Sequence, residues 1–169
     1  KAINMGGLSV IFLMSMLSFI FLIYISLLVI TIIYVIMSYI FEGMTITTIN
    51  KNLNHKHPYT AWIPFYNKYL LGTIAGNKVL GYLTAILNFI NISLTAYFYI
   101  YQKLTIIPFC ILLASLILSF IFNTIISHKI YKSTTNKYGD ILTVLTVLSL
   151  GFLRPIILFL IKDKITIKE

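Results

Sequence analysis

A chain of 169 residues that is 59% hydrophobic and only 10% charged lacks the polar surface of an ordinary soluble domain. Its 13 lysines and arginines outnumber four acids, for a net charge of +9, and its single cysteine excludes an internal disulfide or a cysteine-based zinc site. The lysines stand in connectors beside apolar runs, with no basic helix or aromatic–basic sheet to grip a phosphate backbone, so membrane lipids and not nucleic acid are the expected partners.

Four apolar stretches, 8–41, 79–101, 104–126 and 141–161, dominate the chain. A helix needs roughly 20 residues to cross a hydrocarbon core. The expected fold is therefore all-α: a polytopic transmembrane helical bundle of about four membrane segments plus one interfacial amphipathic helix, in a single membrane domain. The abundance of Ile, Asn, Lys, Tyr and Phe points to an AT-rich bacterial genome, and so to a multi-pass protein of a bacterial inner membrane. Segment 8–41 would be about 51 Å long as a helix. It is too long for a cleavable signal core, and nothing polar interrupts its middle. It reads as one long helix, tilted or projecting, that ends at Glu42-Gly43.

The connector 42–78 mixes Lys51, Lys56, Lys68 and Lys78 with Tyr59, Trp62, Phe65, Tyr66 and Tyr69. Aromatic rings beside lysines suit the headgroup layer, which makes Trp62, Tyr66, Lys68 and Tyr69 the expected interface anchors. From Phe65 to Ala75 the apolar residues recur at helical spacing, so a short amphipathic helix is expected on the surface after Pro64, stopped by Gly76-Asn77. Spans two and three are joined by a tight hairpin at Tyr101-Gln102-Lys103.

Connector 127–140 carries Lys129, Lys132 and Lys137 against Asp140. The positive-inside rule puts connectors 42–78 and 127–140 in the cytoplasm and the hairpin outside. A simple fourth span would leave the lysines of the tail, Lys162, Lys164 and Lys168, on the wrong side. Two readings follow: a plain fourth span, or a re-entrant segment turning near Gly151 or Arg154-Pro155.

The second span spaces Thr84, Asn88, Asn91 and Thr95 at steps of four, three and four, which places them on one helical face. The third span carries a ridge of Ser115, Ser119, Asn123 and Ser127. Polar side chains in a span face other helices, as interhelical glue or as a seam lining a path for a small solute. Thr143, Thr146 and Arg154 share a side of the fourth segment. Arg154 is the one charge well inside an apolar run, a functional candidate by default. With no acid inside any span, it has no evident partner and is expected to snorkel to lipid phosphate.

The spacing His55-Lys56-His57 is poor for a metal, because i and i+2 residues share a face only on an extended chain. Zinc-protease, serine-hydrolase and nucleotide-loop motifs are absent, as are paired intramembrane aspartates. Cys110 lies in an apolar run as a packed thiol. No catalytic, cofactor or metal residues are assigned.

The run Ile63-Pro64-Phe65-Tyr66-Asn67-Lys68-Tyr69, followed by Gly72-Thr73-Ile74-Ala75-Gly76-Asn77-Lys78, resembles a pattern in a family of small bacterial membrane proteins, some fused or adjacent to signal peptidases. Lys137-Tyr138-Gly139 is similar to a later element of that family, and Thr73 stands where the family usually has lysine. The likeness would cover about 63–161. It implies architecture, and the family carries no assigned activity. The function expected from the sequence is a non-enzymatic membrane subunit or accessory scaffold that assembles with itself or another membrane protein. The alternatives are a small channel or transporter component using the polar seam and Arg154, and, more weakly, a membrane immunity or toxin-like factor.

Overall fold

The computed structural model describes residues 5–52, 58–101 and 105–165, with side chains from residue 9 onward. All regular structure among them is helical: α1 (Met5–Asn52), a 3-10 turn (Pro58–Trp62), α2 (Tyr66–Ile74), α3 (Lys78–Tyr101), α4 (Ile106–Thr135), α5 (Gly139–Leu148), α6 (Arg154–Ile161) and a final 3-10 turn (Lys162–Lys164). Three of these, α1, α3 and α4, are long and apolar enough to cross a membrane. Residues 1–38 and 39–169 form two separate compact units.

In the first unit, nearly every side chain from Val10 to Ile36 is exposed, and those side chains are almost all apolar. A helix that is apolar all round belongs in lipid. Three of its hydroxyls are satisfied within the helix: Ser15, Ser26 and Thr31 donate to the carbonyls of Phe12, Leu22 and Leu27. No polar group of theirs is left to face hydrocarbon.

The second unit is built on two helical hairpins. In the first, the Gly76 N–H donates to Thr73 O and the Asn77 N–H to Gly72 O, each at 2.9 Å, closing α2 with a Schellman turn. Gly76 has φ +71°, which only glycine adopts without strain. Asn77 then caps α3 by accepting the Leu80 N–H at 3.0 Å. The chain therefore doubles back, and α2 runs antiparallel along the start of α3. Gly72 lies on Gly81, Tyr69 on Tyr82 and Phe65 on Phe89. A Cβ on Gly72 would come within 2.3 Å of the Gly81 Cα, so the absence of a side chain sets this crossing.

In the second hairpin, Gly139 sits beside Lys132, Thr143 beside His128 and Gly151 beside Phe120. Later residues of α5 thus meet earlier residues of α4, and the two helices are antiparallel. The Leu150 N–H donates to Val147 O and the Gly151 N–H to Thr146 O, a second Schellman turn. Here the left-handed position is Leu150, at φ +51°. α6 then joins a core of Ile46, Ile49, Ala61, Leu71, Ile126, Ile130, Tyr131, Ile157, Leu158, Ile161 and Ile165.

Four expectations change. α1 does not end at Glu42-Gly43 but continues to Asn52, where Ile46 and Ile49 pack into the core and Thr45, Thr47 and Thr48 satisfy their hydroxyls on the Phe41, Gly43 and Met44 carbonyls. α4 likewise runs nine residues past 126, with Ile130 and Tyr131 in the core and Ser127, Ser133, Thr134 and Thr135 bonded to earlier carbonyls. Segment 141–161 is not one helix. Its parts, about 15 and 12 Å long, are each too short to span roughly 30 Å. The helix expected at 65–75 is present as α2, one residue shorter at each end, and it packs on α3. The hairpin loop at 102–103, Lys168 and His55-Lys56-His57 lie outside the described residues.

A leucine in the left-handed region carries about 1–2 kcal/mol of strain. Leu150 is 75% exposed and has little packing to lose. Leu150→Gly should hold or raise the unfolding midpoint in detergent micelles, while the same change at mid-helix Leu145 lowers it; a clear loss for Leu150→Gly would contradict the turn.

Candidate buried ion triad

Glu42 lies on the last third of α1, where the helix enters the second unit, and is only 2% exposed. A carboxylate there must bring its own counter-charges, because an isolated buried ion is prohibitively unfavourable. Two arrive from distant parts of the sequence. The Lys68 ammonium, from α2, donates to Oε2 of Glu42, and the Arg154 guanidinium, at the start of α6, donates through Nη2 to Oε1. One carboxylate thus fastens three elements.

Local structure explains each position. Lys68 is the third residue of α2 and stands one turn before Gly72, so the glycine contact that holds α2 on α3 also aims the ammonium. Its side chain is 16% exposed. Arg154 follows the strained turn at Leu150–Gly151 and precedes Pro155, which takes the first turn of α6, where a missing N–H goes unmissed. Arg154 is 8% exposed, and its Nε makes no hydrogen bond. Asn67 Oδ1, next to Lys68 on α2, is likewise buried without a donor.

Two expectations are corrected here. Arg154 does not snorkel to lipid phosphate, because a protein carboxylate holds it. Lys68 is not a headgroup anchor but faces inward. The other anchors differ among themselves. Trp62 and Tyr66 are exposed, and Tyr69 is partly covered and stacked between Tyr66 and Tyr82. Trp62 also covers Gly43 of α1, and its carbonyl accepts the Tyr39 hydroxyl.

The polar seam divides. Asn91 and Ser115 meet between α3 and α4, where the Ser115 hydroxyl donates to the Asn91 side-chain carbonyl. Thr84 is fully buried but bonded to the Leu80 and Gly81 carbonyls of its own helix. Asn123 donates to Ser119 at 3.2 Å within α4. Asn88 is partly covered, and Thr95 is exposed with its hydroxyl returned to Asn91 O. Thr143 and Thr146 meet His128 at 2.9 Å and Tyr131 at 3.3 Å, joining α5 to α4. Cys110 is exposed and free. Among the described residues no cluster of three metal-ligating side chains occurs.

The sequence did not reveal Glu42 as the partner of Arg154. The pair is 112 residues apart, and the acid sits where the apolar run stops. The available signal was its isolation: a lone carboxylate at the edge of a span, with every other acid after position 139.

No protein-family model, curated protein or solved structure matches this chain.

Removing one partner of a buried pair costs about 3–5 kcal/mol, whereas replacing the whole set by apolar residues is often neutral. Glu42→Gln should therefore destabilise strongly, and the triple change Glu42→Leu, Lys68→Met, Arg154→Met should recover most of the loss. Thermal unfolding in mild detergent checks this; a triple variant as unstable as Glu42→Gln would contradict it.

Proposed function

We propose that the chain is a non-enzymatic integral membrane subunit, held in the bilayer by three spans and presenting α1 to a partner. The observation that carries this reading is the exposed apolar surface of α1 between Val10 and Ile36. In the membrane, such a surface is available to lipid or to another span without further unfolding. The polar groups within the spans and α6 support the same reading. Asn91, Ser115, Thr84 and Arg154 are taken up by partners inside the chain, which serves packing rather than a water path.

The span count in this proposal is three, with α5 and α6 forming a re-entrant hairpin. α4 supplies the ruler. Its charges begin at His128, so Phe120 lies eight residues, about 12 Å, inside the apolar part. The α5–α6 turn meets Phe120 and reaches that depth before α6 rejoins the core near Ile126 and Ile130. α2 enters from the same end of α3, with Phe65 against Phe89. Re-entrant backbone is tolerated where protein surrounds it, and the Glu42 triad ties both inserted elements to α1. This arrangement returns Lys162 and Lys164 to the side of Lys129 and Lys137, in agreement with the positive-inside rule.

Two experiments test the reading. Single cysteines at Lys137 and Lys164, in a Cys110→Ser background, should react with a membrane-impermeant maleimide from the same face; opposite faces would restore a plain fourth span. Crosslinking in native membranes, followed by mild-detergent purification, should retain a stoichiometric membrane partner, a second copy or another membrane protein, through α1. A bare monomer would remove the subunit role, and liposome flux above a protein-free control would favour a channel.

A further inference from the structure

We propose that the groove between α4 and α5 is a binding site for one phospholipid with a primary-amine headgroup. The inference rests on the membrane placement of α4 and not on the subunit role. The groove has a volume of about 360 Å³ and is lined by His128, Asp140, Thr143, Val144, Val147 and Leu148.

Its polarity is ordered along the membrane normal. His128 and Asp140 stand at the charged end of α4, beside Lys132, where headgroups lie. α5 runs antiparallel to α4 from there, so Val144, Val147 and Leu148 follow at increasing depth. The groove surface is almost wholly apolar, which suits an acyl chain, and the His128 and Asp140 side chains at its charged rim suit a headgroup. A free phosphate would have no use for such a floor.

The rim also carries a charge pattern. The Asp140 carboxylate is 3.7 Å from the Lys132 ammonium and 3.9 Å from Nδ1 of His128, and its side chain is 69% exposed, so it can accept further donors. A carboxylate beside a lysine is complementary to a phosphate beside an ammonium. The phosphate faces Lys132 and the headgroup ammonium donates N–H bonds to Asp140. A choline headgroup has the same charges but no N–H to donate, and an anionic glycerol headgroup has no cation for Asp140.

Asp140 also lies in the first turn of α5, where an acid favours the helix whatever binds nearby. The informative quantity is therefore headgroup choice and not the amount of lipid retained. The purified chain is equilibrated in nanodiscs containing equal phosphatidylethanolamine and phosphatidylcholine with identical acyl chains, transferred to mild detergent, and its retained lipid counted by native mass spectrometry. One charge-assisted hydrogen bond at a wet rim corresponds to a preference of about fivefold for the amine lipid. Asp140→Asn keeps an acceptor oxygen but loses its charge, and should lower that ratio to about twofold with lipid still bound. Val147→Trp should fill the groove and remove one lipid per chain. Equal retention of the two lipids by the wild type, or an undiminished preference in Asp140→Asn, would overturn the assignment, and so would unchanged lipid number in Val147→Trp.

Discussion

A carboxylate on an otherwise apolar helix stays ionised only where cations are brought to it, and the second unit is organised around that requirement. Glu42 receives one cation from α2 and one from α6. The reversal that holds α2 in place, at Gly76-Asn77, follows that helix, and the one at Leu150–Gly151 precedes α6. α2 lies close enough because Gly72 and Gly81 let two backbones touch. Arg154 arrives because Leu150 accepts a left-handed conformation and turns the chain back. The ion triad, the glycine contact and the strained turn are parts of one solution. The core residues Ile46, Ile49, Ile126, Ile130 and Leu158 seal that solution from water.

Charge balance within the triad is uneven, with two cations on one carboxylate. Burial of ions is weak evidence for stability, since an apolar replacement often does as well, but breaking such a set is severe. The contacts bring α1, α2 and α6 together at one carboxylate, and an arrangement that parted them would leave a charge facing lipid. The same logic holds on a smaller scale between α3 and α4. There, Asn91 and Ser115 satisfy each other where either alone would be costly in hydrocarbon.

Much of this was legible in the sequence, and the illegible part has a common cause. Helix α3 was read to within a residue, because its apolar run coincides with its hydrogen-bonded run. The stop at Gly76-Asn77 was read from turn chemistry alone. α1 and α4 were read short, because hydropathy falls off at Glu42 and after Ile126 while the helices continue, with threonine and serine hydroxyls bonded to their own carbonyls. Segment 141–161 was composed like a span, and only Gly151 and Pro155 hinted at a break. Arg154 was singled out correctly as unusual, but its partner was not, since periodicity along a helix carries no information about a residue 112 positions away. Lys68 was misplaced for the related reason that an amphipathic lysine beside tyrosines looks the same whether it faces headgroups or a buried acid.

The central claim is that Glu42 and Arg154 are energetically coupled in the folded chain. The most direct measurement is a double-mutant cycle on Glu42→Gln and Arg154→Gln, read from reversible unfolding in lipid bicelles. The expected result is a coupling of about 1–3 kcal/mol, as for residues sharing one buried network. Losses that add to within about 0.5 kcal/mol, the behaviour of distant independent sites, would contradict the account.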